Sequence, residues 1–238
     1  MEMTTSSFLD TLPLLGSSSD DFQKKAYAQA RTIKASKGDI IALHEDIAKN
    51  FFVITKGWIK LYRETLDGAQ AVIDIMDAGH MFGESALFHD GTYPFNAEAV
   101  EEVELIAIPL ELLKKEIDSN PDMTRTLLSF FARQRHNQDR EIEHRTVQNA
   151  PQRIGCFLLR LANQTAPDNT ITIHLPYDKT LVASRLGMQP ETFSRALTKL
   201  KEKTGIRVKG ATIEMESLSQ LSDFSCAACS SSFPCKDL

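Results

Sequence analysis

The sequence predicts an α+β chain. Its parts are an antiparallel, jelly-roll-like N-terminal domain, one long helix and a C-terminal winged helix-turn-helix. Three observations carry this reading. Short β-rich runs separated by Gly turns fill roughly the first 115 residues. A long helical stretch follows Pro121. Residues 180–200, TLVASRLGMQPETFSRALTKL, then read as two short helices around a tight turn. The expected divisions are 1–115 for an effector-sensing domain, 116–150 for the long helix, 151–220 for the winged helix-turn-helix and 221–238 for a Cys-containing tail.

After a short helical start, residues 33–43 carry a Ser36-Lys37-Gly38-Asp39 turn. Phe51 to Ile54 and Trp58 to Tyr62 are β-rich runs joined by Thr55-Lys56-Gly57, which predicts a hairpin. Ile59 and Leu61 alternate with Lys60 and Tyr62, and Asp67-Gly68 predicts a second hairpin before Ala71 to Met76. A Gly-rich bend from Gly79 to Gly83 precedes Asp90-Gly91 and a strand-like run from Ala97 to Ile108.

The long helix begins at Pro121, with Asn120 placed to cap it, and runs towards Gln148. Met123, Leu127, Phe130, Phe131 and Ile142 give it an apolar face, interrupted by polar residues from Gln134 to Arg140. Such a helix between two domains is a natural place for two copies to pair, so a homodimer is expected. Beyond Pro151 the sequence predicts a helix from Ile154 to Ala162, a strand from Ile171 to Leu175, the two short helices, and a hairpin from Ile206 to Met215 turned at Lys209-Gly210.

In the two-helix segment, Leu181, Val182 and Leu186 supply the apolar positions of the first helix, and Gly187 stands where a sharp turn needs positive φ. Pro190 suits the first position of the second helix, and Phe193, Leu197 and Leu200 form its apolar stripe. That stripe leaves Glu191, Ser194 and Arg195 on other faces near the helix start, where a helix entering the major groove reads bases. Arg195 has the fork to bond guanine O6 and N7, Glu191 can accept from cytosine N4, and Ser194 can donate or accept at a base edge. The plainer alternative is a Glu191–Arg195 pair at i, i+4 worth about 0.3 kcal/mol.

The 238-residue chain has a net charge of −5, yet residues 176–210 hold eight Lys or Arg against three Asp or Glu. A basic footprint on an acidic body suits contact with the phosphates of double-stranded DNA, with Lys179, Lys199, Lys201 and Lys209 as the phosphate contacts. There is no apolar run of 18 residues, and the N-terminus lacks the basic start of a signal peptide. A cytoplasmic protein with no membrane partner is therefore expected. No HExxH, Walker A or nucleophile elbow is present, so an enzyme is not expected.

Taken with Gly79-His80-Met81-Phe82-Gly83-Glu84-Ser85-Ala86-Leu87 and Glu191-Thr192-Phe193-Ser194-Arg195, this order of parts resembles the cyclic-AMP-receptor and fumarate-nitrate-reduction (Crp/Fnr) superfamily of bacterial transcription factors. The segment VASRLGMQPETFSR is similar in particular to the nitric-oxide and denitrification regulators, some of which use haem. The resemblance implies a cyclic-nucleotide-binding-like fold for the sensor domain and an effector cassette at Gly79, Gly83, Glu84 and Ser85. It also implies an inverted-repeat DNA site, RNA polymerase as a partner, and haem as a cofactor.

In relatives that bind cyclic nucleotides, an Arg-Ser or Arg-Thr pair holds the cyclic phosphate. Here those positions fall near Pro94-Phe95-Asn96, no Arg occurs between Arg63 and Arg125, and no Lys occurs between Arg63 and Lys114. A phosphate beside Glu84 would lack a cation, which argues against a cyclic-nucleotide-responsive regulator. Oxygen-sensing relatives hold an iron–sulfur cluster on N-terminal cysteines, but no Cys precedes Cys156, which is expected in a helix core. Cys226, Cys229 and Cys235 are candidates for zinc, a cluster or a redox disulfide. Of the six histidines, His80 and His89 flank the cassette and are the candidate haem ligands, while Phe82, Phe88, Phe95 and Phe130 are candidates to line an apolar cavity. A dimeric interaction module whose winged helix binds protein rather than DNA stays open as a second class. It would show no preference between matched and scrambled duplexes.

Overall fold

A computed structural model describes residues 15–162, 171–175 and 178–229. The chain divides into two compact units, Met1–Ala132 and Arg133–Leu238.

In the first unit, helix α1 (Asp20–Gln29) leads into strands β1 (Arg31–Ala35), β2 (Ile40–Ala42), β3 (Asn50–Lys56), β4 (Ile59–Glu64), β5 (Gln70–Met76), β6 (Met81–Phe82), β7 (Asn96–Ala99) and β8 (Val103–Pro109). Helix α2 (Leu110–Ser119) follows. The strands form two antiparallel four-stranded sheets, ordered β1-β8-β3-β6 and β2-β7-β4-β5.

Side chains alternate across a strand, so each sheet has two faces. Phe52 and Ile54 of β3, with Leu105 and Ala107 of β8, pack against Ile59, Leu61, Ala97 and Ala99 of the other sheet. The opposite face of β3, Phe51 and Val53, packs with Ile106 and Ile108 against Phe22 and Ala26 of α1 and Leu110 and Leu113 of α2. β3 is buried on both sides, which is why it reads as an unbroken apolar run.

Two expectations about this unit are corrected. The runs around Thr55-Lys56-Gly57 do not form a hairpin: β3 pairs with β8 and β6, whereas β4 pairs with β5 and β7. Gly57 is where the chain passes from one sheet to the other. It has φ +82°, and a Cβ there would sit 2.6 Å from the Glu102 carbonyl oxygen. Likewise the run from Ala97 to Ile108 is not one strand; β7 and β8 lie in different sheets and are separated by residues 100–102. The Asp67-Gly68 hairpin is present, joining β4 and β5.

Helix α3 (Pro121–Val147) runs 27 residues and spans the division between the units. Asn120 caps it, its Oδ1 accepting from the backbone N–H of Asp122 and Met123. Met123 and Leu127 are fully buried in the core of the first unit, whereas Ile142 is 63% exposed.

In the second unit, α4 (Ala150–Leu161) starts earlier than the sequence reading places it. Asn149 and Gln152 form a reciprocal capping box, with Pro151 in the first turn. Cys156 is buried on α4, as expected. Strand β9 (Ile171–His174) joins β10 (Arg207–Lys209) and β11 (Thr212–Met215) in a sheet ordered β10-β11-β9, the wing, whose hairpin turns at Gly210 with φ +61°. Helices α5 (Lys179–Arg185), α6 (Pro190–Thr204) and α7 (Ser219–Ser225) complete the described unit. α7 packs closely on α4: a Cβ at Gly155 would lie 2.0 Å from Ser225 Oγ.

Candidate nucleic-acid interface and effector site

The two helices of the turn motif are fixed at each end by local chemistry. Asp178 caps α5, its carboxylate accepting from the Leu181 N–H at 2.9 Å. At the other end, Gly187 adopts φ +63°, its N–H donates to the Ser184 carbonyl and the Met188 N–H donates to the Ala183 carbonyl, both at 3.0 Å. These paired bonds are a Schellman closure, which needs a left-handed residue and therefore favours Gly. Pro190 is the first residue of α6.

α6 buries Phe193, Ala196, Leu197, Leu200 and Thr204. Glu191, Ser194, Arg195, Lys199 and Lys201 are exposed on it. Among the described residues, Glu191 and Arg195 make no ion pair with each other, so the intrahelical pair does not account for them. Lys179 is exposed at the start of α5, and Lys209 is exposed on the wing, 3.3 Å from the Glu214 carboxylate.

Behind α5 lies a charged cluster. Glu141 of α3 accepts from Arg160 of α4 at 2.8 Å and from Arg185 of α5 at 3.2 and 3.4 Å. Burial pushes the Glu141 carboxyl up, but the Arg185 and Arg160 guanidinium groups outweigh it and hold it below the ordinary carboxylate range. No spacing rule reveals this cluster, because its members lie 19 and 44 residues apart.

In the first unit, Gly79 and Gly83 take φ +94° and +91°, and a Cβ at Gly83 would crowd the Tyr93 ring and the backbone of Asn50 and Phe51. The 3-10 turn Glu84–Phe88 then sends Glu84 inward. Glu84 is 3% exposed, and its Oε2 is buried without a hydrogen-bond partner among the described residues. Burial pushes its pKa up to about 7. Of the Pro94-Phe95-Asn96 positions, Phe95 belongs to the core and Asn96 Oδ1 accepts from the His44 N–H at 2.9 Å.

Ser85 instead faces an apolar cavity of about 340 Å³, lined also by Phe88, Ile117, Thr124, Leu127, Leu128 and Phe131. Phe82 and Phe95 are core residues and Phe130 packs on Phe131, so Phe88 is the one of the four expected aromatic residues that lines it. A haem iron needs an axial donor such as His, Cys, Met or Tyr, and this lining supplies none. The cavity does not fit haem. His80 does not line it; its Nδ1 lies 2.8 Å from Asp77, whose hydrogen bond raises the imidazole pKa. His89 is exposed.

Among the described residues no group of three or more His, Cys, Asp or Glu is arranged to hold a metal ion. Cys226 and Cys229 are half-buried at the end of the described chain, and Cys235 lies outside the described residues. Sequence reasoning passed over His144, which is buried between the Cys156 and Cys229 sulfurs. No helix among the described residues is long and apolar enough to cross a membrane.

Comparisons with known proteins agree with this arrangement. A cyclic nucleotide-binding domain family matches residues 32–120, and a Crp-like helix-turn-helix domain family matches residues 152–224. The chain is 27% identical to the cyclic AMP receptor protein of Thermus thermophilus, over 85% of this chain and 88% of that one. A solved protein of Ruegeria pomeroyi is 30% identical, covering 92% of this chain and 96% of its own, with a TM-score of 0.66. The regulator DNR of Pseudomonas aeruginosa is 26% identical, covering 94% and 100%, with a TM-score of 0.52.

A β-sandwich sensor joined through a long helix to a winged helix-turn-helix defines a DNA-binding transcriptional regulator that responds to a small-molecule signal, not an enzyme. The chain belongs to the Crp/Fnr superfamily of bacterial transcription factors, whose members generally dimerise and bind DNA and RNA polymerase.

Proposed function

We propose that this regulator acts as a homodimer that reads an inverted repeat through α6, with Glu191, Ser194 and Arg195 at base edges. The observation that carries this is the exposed polar face at the start of α6, set beside a buried apolar stripe. Arg195 supplies a two-pronged donor for guanine and Glu191 an acceptor for cytosine. Lys179, Lys199, Lys201 and Lys209 serve as phosphate contacts that position the helix without specifying sequence.

Pairing runs along α3. Leu128 and Ile142, each 63% exposed, stand two heptads apart on that helix, with Arg135 at the intervening position. A partly polar seam of this kind supports a dimer whose association can be tuned. RNA polymerase contact follows from family membership.

The effector site is the cassette Gly79, Gly83, Glu84 and Ser85 together with the adjoining apolar cavity. Its chemistry favours a small uncharged, largely apolar ligand. An anionic cyclic phosphate is disfavoured, because Glu84 is buried and the positions that carry an Arg-Ser or Arg-Thr pair in relatives that bind cyclic nucleotides hold Pro94, Phe95 and Asn96 here. Nitric oxide sensing through haem, which the sequence similarity implies, draws no support from a cavity without an axial ligand. The cavity borders α3, so a ligand there would act by binding one state of that helix more tightly than another.

Selection of bound duplexes from a random library tests the DNA reading. An inverted repeat with one preferred base pair per Arg195 contact is expected, and equal retention of all duplexes would leave the protein-binding module as the better account. For the effector, supplying haem should give no stoichiometric Soret band. A band that shifts on adding nitric oxide would restore the haem reading.

A further inference from the structure

The DNA-binding unit contains a cluster of thiols around one buried imidazole that DNA recognition does not use. His144, 7% exposed near the end of α3, has its Nδ1 3.9 Å from the Cys156 sulfur of α4 and 3.4 Å from an Arg160 guanidinium nitrogen. Its Nε2 lies 3.6 Å from the Cys229 sulfur. Cys229 closes the 3-10 turn Cys226–Ala228, its N–H donating to the Cys226 carbonyl at 3.2 Å. Cys156, Cys226 and Cys229 are all thiols, and the last two are half-buried, within reach of solutes.

Partner chemistry fixes the imidazole's proton. A guanidinium only donates, so Nδ1 is the accepting nitrogen and the proton of neutral His144 sits on Nε2, facing the Cys229 sulfur. Burial, then Arg160 and Arg140, lowers the His144 pKa against the opposing pull of Glu141 and Glu143, which keeps the ring neutral. As a donor to that sulfur, the Nε2–H holds the Cys229 side chain in one orientation for attack. Residues i and i+3 of a closed turn have Cα atoms less than about 7 Å apart. A disulfide needs roughly 4.4–6.8 Å.

We propose that Cys229 and Cys226 form a peroxide-responsive dithiol site, with His144 as the positioning residue. The Cys229 sulfur attacks the terminal oxygen of a hydroperoxide. The S–O bond forms as the O–O bond breaks, and the leaving oxygen takes the thiol proton and departs as water or alcohol. The sulfur is oxidised by two electrons to a sulfenic acid and the peroxide is reduced. The Cys226 sulfur then attacks, the S–S bond forms, and the hydroxyl leaves as water with the Cys226 proton.

Oxidation draws the Cys229 sulfur away from His144. His144 sits one turn from Glu141 on α3 and shares Arg160 with it, and Glu141 also holds Arg185 of α5. The disulfide therefore loosens the anchorage of the first helix of the DNA-binding motif. This chemistry does not depend on which DNA sequence or effector the protein recognises.

The test is peptide mapping of the full chain after treatment with one equivalent of hydrogen peroxide, combined with dimedone trapping and hydrogen exchange. In the wild type a Cys226–Cys229 disulfide should form and be reversed by dithiothreitol. Cys226→Ser should stop at a dimedone-trapped sulfenic acid on Cys229. His144→Leu, which removes the N–H donor, should slow Cys229 oxidation at least tenfold. Should that variant fail to fold, competitive alkylation of the wild type gives the same information, with Cys229 reacting faster than Cys226. Amides of residues 179–185 should exchange several-fold faster after oxidation. Dimedone on Cys226 or Cys235 instead of Cys229, a Cys229–Cys235 disulfide, or equal alkylation rates would overturn the site. A correct disulfide with unchanged exchange would overturn the coupling to α5.

Discussion

Glu84 shows how one residue's surroundings constrain the effector. The folded protein holds its proton up to about pH 7. The unfolded chain gives that proton up near the ordinary carboxylate value of about 4.3. Between these values the folded state binds more protons, so its stability falls as pH rises and the full cost is present above pH 7. Glu84→Gln removes this dependence. It should be about 3 kcal/mol more stable than the wild type at pH 8 and close to it at pH 4.5, as read by urea unfolding at both pH values. A parallel pH dependence in the two proteins would mean that Glu84 has a partner. The Gly-rich bend from Gly79 to Gly83 was legible in the sequence, as was the lack of a cation at residues 94–96. The unpartnered oxygen was not, because it depends on which way the side chain turns. The Glu141 cluster was hidden for a related reason: its arginines come from two other helices, far along the chain.

At the scale of elements, Gly57 marks what sequence reasoning misread. A Gly between two β-rich runs is compatible with a hairpin or with a step between sheets. The deciding partner is β8, about fifty residues away, which pairs with β3 and leaves β4 to β7. Gly57→Ala adds a left-handed backbone penalty of about 1–2 kcal/mol. It also places a Cβ against the backbone oxygen of Glu102. Thermal and urea unfolding should show a loss of at least about 2 kcal/mol, whereas the open Gly210 turn should lose only the backbone penalty on Gly210→Ala. Equal losses would show that the step between sheets is not tightly packed. The helix-turn-helix was legible because Asp178, Gly187 and Pro190 act within a few residues of themselves. α2 and α7 were not foreseen, since short helices of this kind are held mainly by tertiary packing.

For the whole molecule, dimerisation and DNA reading stand together. Ile142 is exposed, so Ile142→Glu should leave the fold intact while weakening self-association at least tenfold in sedimentation velocity. A monomer at micromolar concentration, with and without DNA, would remove the pairing role of α3. If α6 reads bases while the lysines hold phosphates, Arg195→Ala and Lys201→Ala must weaken DNA binding in different ways. Binding of both variants and the wild type is measured across a panel of single-base changes in the selected site and across a salt series. Arg195→Ala should cost about 1–3 kcal/mol and flatten the preference at one base pair of each half-site. Lys201→Ala should weaken all duplexes alike and reduce the salt slope by about one per half-site. An Arg195→Ala protein that ranks every duplex as the wild type does would mean that Arg195 reads no base.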